Sequence, residues 1–259
     1  MLKFFDALMS MGKTNNAFPS TPGTEAEILA IMDHYDVSRA MVYHTVTRDA
    51  APDEGNEELL TLTSPRLSML WGLETAYLVE ESVYDFFKRA VSHGVKGILI
   101  NPCMVRMHLE KSPRVLELAK MMEAVHMPLY LVYWNHLGTV DNVIDWYDLA
   151  DFCNMFPNLP IIAWEWRARG NRALFDGLAL TKNLHVVLTS LWQAQSLEAI
   201  CDAFGTHRVL FSLGLPHLDP GSFQACVSYA DLPQKDKEAV AFGNMERLLA
   251  DIDVKGVLA

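Results

Sequence analysis

The chain has 259 residues, of which 51% are hydrophobic and 20% are charged. It can therefore build a large buried core, and global disorder is excluded. Its 32 acidic and 21 basic side chains give a formal net charge of −11. This balance argues against a nucleic-acid or anionic-membrane partner, because either needs a basic surface. The four cysteines are widely spaced and form no CxxC pair, which favours reduced thiols and a cytoplasmic protein.

Short apolar runs recur along the whole chain and alternate with amphipathic segments. Most runs are apolar at consecutive positions, as expected of strands buried on both faces. In chain order the predicted strands are Lys3–Leu8, Arg39–His44, Leu67–Leu73, Val95–Asn101, Pro128–Tyr133, Pro160–Glu165, Leu184–Ser190 and His207–Leu213.

Helical patterns separate most of these strands. Apolar residues at helical spacing predict helices within Val83–Val91 and Pro113–His126. Thr24 followed by Glu27 is typical of a capping box that opens the first helix. The weakest helical pattern, Glu54–Thr63, lies between the second and third strands. Eight strand patterns, most followed by a helix, predict a distorted (β/α)8 TIM barrel that forms one domain over residues 1–259.

The active site of such a barrel lies at the C-terminal ends of its strands. Polar and aromatic residues predicted there are candidates for contacting a small-molecule ligand. These candidate substrate-binding residues are Ser10, Asn101, Trp134, Trp166, Arg167, Trp192 and Ser212.

Three titratable residues near predicted strand ends are candidates for proton transfer. Glu165 lies between two tryptophans and close to Arg167, which is consistent with a desolvated acid of shifted pKa or with a structural ion pair. His136 and His217 follow the fifth and eighth strands, where they are either proton-transfer groups or solvated histidines. The histidines form no HxH or HExxH motif, and neither GxSxG nor a Gly-rich phosphate loop occurs.

Several segments carry a resemblance to a known family, in order along nearly the whole chain. They are Phe5–Gly12 (FDALMSMG), Val37–Val42, Gly94–Ile98, Met127–Leu131, Phe156–Ile162, Phe204–Phe211 with the following Pro216-His217, and Phe242–Leu249. Together they resemble the amidohydrolase-related family of metal-dependent TIM-barrel hydrolases and decarboxylases. The first segment, for example, is similar to that family's Asp-Ala-His-x-His-x-Gly motif.

The resemblance implies a divalent metal such as zinc, held by histidines and an aspartate at the strand ends. Leu8 and Ser10 occupy the two histidine positions of the first strand. The histidine position of the fifth strand is occupied by Val132 or a neighbour, and that of the sixth strand by Glu165 or a neighbour. Gly214 occupies the position of the aspartate that follows the eighth strand. We therefore expect the family's ligand set to be missing, with no metal ligands and no cofactor.

Two functions of different classes follow. The first is a metal-free pseudoenzyme that binds a small-molecule ligand. The alternative is a metal-independent hydrolase (lactonase-like) or decarboxylase acting on a small organic acid or cyclic ester. In it Glu165 serves as acid or base, His136 or His217 as its proton partner and Arg167 as a carboxylate clamp. A third option is an unconventional metal site, and a homodimer is an open alternative to a monomer.

Overall fold

Eight parallel strands form one sheet in which each strand pairs with the next in the chain. The computed structural model describes residues 2–13, 21–73, 81–103, 107–134, 144–165 and 172–257. The strands are β1 Phe4–Met11, β2 Val37–His44, β3 Leu67–Gly72, β4 Gly97–Ile100, β5 Leu129–Tyr133, β6 Ile161–Glu165, β7 Leu184–Val187 and β8 Val209–Leu210. Each of the eight overlaps a predicted strand, which confirms the (β/α)8 fold.

Helices follow the strands, and most of them pack on the outer side of the sheet. They are α1 Glu25–His34, α2 Thr45–Asp49, α3 Pro52–Leu59, α4 Val83–Ser92, α5 Pro113–Ala124, α6 Trp146–Met155, α7 Arg172–Leu180, α8 Ser196–Phe204, α9 Pro220–Tyr229, α10 Gln234–Glu238 and α11 Asn244–Ala250. Short 3-10 turns span Leu188–Ser190 and Thr206–Arg208, and a π-helical turn spans Ala239–Gly243. None of the helices in the described ranges is long and apolar enough to cross a membrane.

The start of the first helix agrees with the predicted capping signal. Thr24 is the N-cap of α1, where its hydroxyl accepts from the backbone N–H of Glu27 at 3.3 Å. The Glu27 carboxylate reaches back to the N–H of Gly23 at 2.7 Å, one residue earlier than in the standard capping box. Ser82 and Ser112 cap α4 and α5 in the same way. These caps satisfy N–H groups that the first turn of a helix leaves unpaired.

The barrel closes between β1 and the segment after β8. The N–H of Ala7 donates to the carbonyl of Phe211 at 2.8 Å. The pairing of β1 with β2 shifts register between Asp6 and Met9, so the barrel is distorted there. This seam brings the residues after β8, which include His217, back over the barrel end.

The strands carry two separate hydrophobic cores. Alternate side chains fill the barrel interior, whereas the intervening ones pack against the helices. The interior residues include Phe5, Met41, Leu70, Leu99, Tyr130, Ile162, Val187 and Leu210. Met245 and Leu248 of α11 join this core, and the Tyr130 hydroxyl contacts the sulfur of Met245 at 3.5 Å. The helix therefore closes the N-terminal end and leaves the C-terminal end, the mouth, for a ligand.

The structure differs from the prediction after β2 and around the last two strands. The weak helical pattern Glu54–Thr63 corresponds to α3, which begins two residues earlier and ends at Leu59, and it is preceded by a helix that was not predicted, α2. Residues 188–190, predicted as the end of β7, form a 3-10 turn, and β8 is reduced to two residues. Because α2 begins directly after β2, its side chains lie over the mouth.

Candidate functional site

A buried arginine, Arg48 of α2, lies at the centre of the mouth. Its guanidinium donates to both carboxylate oxygens of the next residue, Asp49, and the bond from Nη2 measures 2.8 Å. Nη1 donates to the hydroxyl of Tyr43, an interior residue of β2, at 3.0 Å. No motif in the sequence singles out Arg48. A cation placed in the first turn after a strand end is the only sequence signal that points to it.

His217 extends this network from the other side of the mouth. Its Nε2 lies 3.1 Å from Nη1 of Arg48. A guanidinium has no acceptor, so Nε2 accepts the hydrogen bond, and the proton of the neutral imidazole is on Nδ1. Arg48 thereby selects one tautomer of a half-buried histidine.

The indole of Trp134 forms the floor under both groups. The His217 ring stacks on it with centroids 4.3 Å apart and an interplanar angle of 26°. The Arg48 guanidinium carbon lies 4.7 Å from the indole centroid, within range of a cation–π interaction. The sequence predicts His217 and Trp134 as separate site residues, and the structure brings their rings into contact.

Asn101 holds the main chain of this site together. Its side-chain amide donates to the carbonyl of Trp134 at 2.8 Å and to that of Arg48 at 3.4 Å. The thiol of Cys103 lies 2.9 Å from its Oδ1. In this position Asn101 supports the site residues, while a direct contact with substrate stays a prediction.

A second indole near the floor belongs to Trp164, which the sequence analysis treated only as a neighbour of Glu165. Its centroid lies 6.1 Å from that of Trp134, and its N–H donates to the hydroxyl of Thr189 at 2.8 Å. Trp192 is 51% exposed, and Trp166 lies outside the described residues. The structure thus shows Trp134 and Trp164 as a pair at the mouth, and the contacts of Trp166 and Trp192 with a ligand stay predictions.

Ser10 and Ser212 lie in the seam that closes the barrel. The Ser10 hydroxyl donates to the carbonyl of Leu215 at 3.1 Å, and that of Ser212 to the carbonyl of Leu8 at 3.4 Å. Both serines are buried. Their main-chain bonds connect the two sides of the seam, and their predicted contact with a ligand is untested.

Asp6 is a buried carboxylate in the same seam. It accepts from the N–H of Leu8 at 2.9 Å and from that of Leu213 at 3.0 Å. Burial raises the pKa of Asp6 to about 6, although these hydrogen bonds oppose the shift. The group therefore titrates well above the usual range of an aspartate.

Glu165 occupies the outer side of β6. Trp164 points into the barrel, so the alternation of side chains along a strand directs Glu165 towards the helix layer. The N–H of Ile144 donates to its Oε2 at 3.4 Å. Burial raises the pKa of Glu165 to about 7, and this hydrogen bond opposes the shift. The structure does not bring Glu165 to the His217 side, and His136 and Arg167 lie outside the described residues.

The interior positions of the mouth offer few metal ligands. Leu8 and Val132 face the barrel interior with side chains that cannot coordinate an ion, and Ser10 bonds to a main-chain carbonyl. Within the ranges that the structure describes, no three His, Cys, Asp or Glu side chains form a group that could hold a metal. The described residues alone therefore do not form the centre that the family resemblance implies.

Comparisons with known proteins establish the fold. Neither a protein-family profile nor a curated protein sequence matches the chain. Among solved structures, 5-carboxyvanillate decarboxylase from Sphingomonas paucimobilis is 16% identical, with a TM-score of 0.71 over 98% of this chain and 100% of that chain. A 2,6-dihydroxybenzoate decarboxylase from Rhizobium is 14% identical, with a TM-score of 0.71 over 96% and 99%. A candidate 2-pyrone-4,6-dicarboxylic acid hydrolase from Pseudomonas putida is 14% identical, with a TM-score of 0.71 over 97% and 98%.

Proposed function

We propose that the protein is a diverged enzyme of the amidohydrolase-related type, a decarboxylase or a hydrolase that acts on a small, planar organic acid. Its site is the mouth around Arg48, His217 and Trp134, and it works without the family's metal centre. The observation that carries the proposal is the contact of a buried guanidinium, a neutral imidazole and an indole face at the end of the barrel.

These three groups suit a carboxylated ring. A guanidinium binds carboxylate strongly, and an indole face binds a planar ring. Tyr43 and His217 are neutral acceptors for Arg48, so an incoming carboxylate can displace them more easily than it displaces Asp49. The structural neighbours named above support this class, because each is named for a substrate that is a carboxylated ring.

Both reactions need a proton at a defined place. Decarboxylation replaces the departing CO2 by a proton on carbon, and hydrolysis of a cyclic ester delivers one to the leaving oxygen. A neutral imidazole is too weak an acid to give up its only proton. Once a bound carboxylate replaces His217 on Arg48, Nε2 of His217 can accept a proton from water, and the resulting imidazolium can donate the Nδ1 proton to the carbon or to the leaving oxygen. The hydroxide left by that water combines with the released CO2 or with the opened acyl group. Glu165 on the outer face, with His136 and Arg167, stays the alternative acid–base set, and its test is Glu165→Gln.

A ligand-binding pseudoenzyme is the second candidate. It is favoured by Leu8 and Val132, which place apolar side chains at interior positions where the resemblance implies metal ligands. Such a protein binds a carboxylated ring at the same mouth but releases it unchanged. Turnover, and not affinity, separates the two functions.

The test combines a substrate panel with two variants at the mouth. Hydroxybenzoates and pyrone carboxylates are incubated with protein freed of metal, and CO2 release or ring opening is followed. We expect turnover that His217→Asn reduces on the order of 100-fold or more while affinity changes little. His34→Asn, at an exposed histidine near the end of α1, is the matched control.

The outcomes distinguish the candidates. Binding without turnover of any panel member would favour the pseudoenzyme. Turnover that requires stoichiometric zinc or manganese, followed by elemental analysis, would refute metal independence. Turnover unchanged in His217→Asn but lost in Glu165→Gln would move the acid–base role to Glu165.

A further inference from the structure

A cavity of about 430 Å³ lies at the N-terminal end of the barrel, opposite the mouth. Leu2 and Lys3, which lead into β1, form one side. Residues of α10 and of the π-helical turn form the other. The interior between this cavity and the mouth is filled by large side chains such as Phe5 and Tyr130, so the two sites are separate.

The π-helical turn shapes the cavity wall. The N–H of Asn244 bonds to the carbonyl of Ala239, five residues earlier, which widens the helix at this point. One helical face lines the cavity. Ala239 follows Lys235 by four positions, and Phe242 and Gly243 follow Ala239 by three and four, so these residues share that face.

The position of that wall is set by the barrel itself. The side-chain amide of Asn244 donates to the carbonyl of Val209 in β8 at 2.9 Å. Phe242 packs on Phe5 with ring centroids 5.7 Å apart. These contacts tie the widened turn to two strands, so the cavity is a preformed feature of the fold.

The charges at the cavity are unusual for this acidic chain. The ammonium groups of Lys3 and Lys235 make no hydrogen bond or ion pair with any residue that the structure describes. The one carboxylate in the lining, that of Glu238, accepts from the side-chain amide of Gln234 at 2.9 Å. Leu2 and Phe242 supply apolar surface in the same lining. The lining thus combines two cationic side chains with apolar ones.

We propose that this cavity is a second small-molecule site, which binds an amphipathic organic anion. The anionic head pairs with Lys3 and Lys235, and the hydrocarbon part contacts Leu2 and Phe242. The volume lies within the range of about 300–1,000 Å³ that is typical of ligand sites. The site does not depend on the function proposed for the mouth.

Octanoate is a suitable probe, and isothermal titration calorimetry of the full chain is the measurement. We expect saturable binding of one octanoate, and at least tenfold weaker binding of octan-1-ol, which lacks the charge. The double variant Lys3→Gln/Lys235→Gln should weaken octanoate binding at least tenfold. Lys237→Gln is the matched control, because the Lys237 ammonium donates to the carbonyl of Ser228 and does not line the cavity. The affinity of this variant for octanoate should change less than twofold.

A cavity-filling variant, Gly243→Leu, tests the location. Gly243 has helical backbone angles, φ −62° and ψ −34°, and an added Cβ would meet only the carbonyl of Glu238, at 3.7 Å. A leucine is therefore tolerated by the backbone and places its side chain at the cavity wall. We expect the melting temperature to be retained and octanoate binding to be lost.

Two further results complete the test. Arg48→Lys, a change at the mouth, should leave octanoate affinity within twofold of the parent, since the sites are separate. The proposal is overturned if octanoate gives no saturable heat, if the double lysine variant binds as the parent does, or if Arg48→Lys removes the binding. Should Gly243→Leu fail to fold, the lysine variants and the mouth variant still decide.

Discussion

Two arginines are buried at opposite ends of the barrel, and their partners differ in kind. Arg208, at the N-terminal end, donates to the carbonyls of Leu178, Thr181 and Leu184 over 2.6–3.3 Å. Among the described residues no carboxylate lies within ion-pair distance of it. Burial lowers the pKa of Arg208, and the carbonyls at the end of α7 compensate its charge.

Arg48, at the mouth, is held by side chains. Its partners are the carboxylate of Asp49, the hydroxyl of Tyr43 and the imidazole of His217, and it lies over Trp134. Main-chain carbonyls cannot move without unfolding a helix or strand, whereas side chains can exchange partners. The comparison therefore separates an arginine that braces the fold from one that can respond to a ligand.

The largest effect on stability is expected at Arg208, the arginine held by main-chain carbonyls. Arg208→Met leaves several buried carbonyls without a donor and should lower the free energy of unfolding by about 3–5 kcal/mol, measured by urea denaturation. Arg247→Met, at an exposed arginine whose ion pair with Asp251 measures 3.9 Å, should change it by less than about 0.5 kcal/mol. Equal losses of stability in the two variants would contradict a stabilising role of Arg208.

Asp6 extends the comparison to a buried acid with main-chain partners. Burial raises its pKa from 3.8 to about 6, so the folded chain holds a proton at a pH where the unfolded chain has lost it. Its stabilising contribution is full below pH 4 and is lost as the pH rises through 6, by roughly 3 kcal/mol in all.

Asp6→Asn should remove this loss of stability between pH 4 and pH 7. The measurement is the free energy of unfolding, determined by urea denaturation at several pH values in that range. Glu165 contributes with the same sign, because burial raises its pKa to about 7. Asp231→Asn, at an exposed position, is the matched control. A pH dependence in Asp6→Asn identical to that of the parent would show that Asp6 is not its source.

The mouth arginine should affect turnover more than stability. Arg48→Lys keeps the charge but cannot contact Asp49, Tyr43 and His217 together, so turnover of a carboxylated ring should fall on the order of 100-fold. The free energy of unfolding should fall by only about 1–2 kcal/mol, less than in Arg208→Met. A loss of stability as large as that of Arg208→Met, with turnover intact, would show that Arg48 stabilises the fold and does not act on the ligand.

The smallest effect is expected at Trp192. Because its side chain is 51% exposed, Trp192→Ala should change the free energy of unfolding by less than about 0.5 kcal/mol. Ligand affinity should change less than threefold, whereas Trp134→Ala, which removes the floor under Arg48 and His217, should weaken binding at least tenfold. Fluorescence titration with a hydroxybenzoate compares the two variants, and equal losses of affinity would show that Trp192 contributes to binding as much as Trp134 does.

The sequence predicts the site residues only in part, for reasons that are local. His217 and Trp134 are visible because each follows a clear strand pattern. Glu165 follows one as well, but neighbouring residues of a strand point to opposite sides, and only the structure shows that Trp164 is the inner one. Arg48 is missed because the helical pattern after β2 is too short to show that a helix begins there.

The sequence by itself determines the approximate positions of the eight strands, those of several helices, and the cap of the first helix. These follow from apolar periodicity and hydrogen-bonding side chains that act within a few residues. Tertiary structure decides which way each strand faces, how β1 and β8 close the barrel, and that Arg48 meets His217, 169 residues away. Such pairings depend on the packing of the whole barrel, because distant residues meet only when the surfaces around them pack together. A contact of this kind produces no periodic pattern in the sequence, so the sequence does not reveal it.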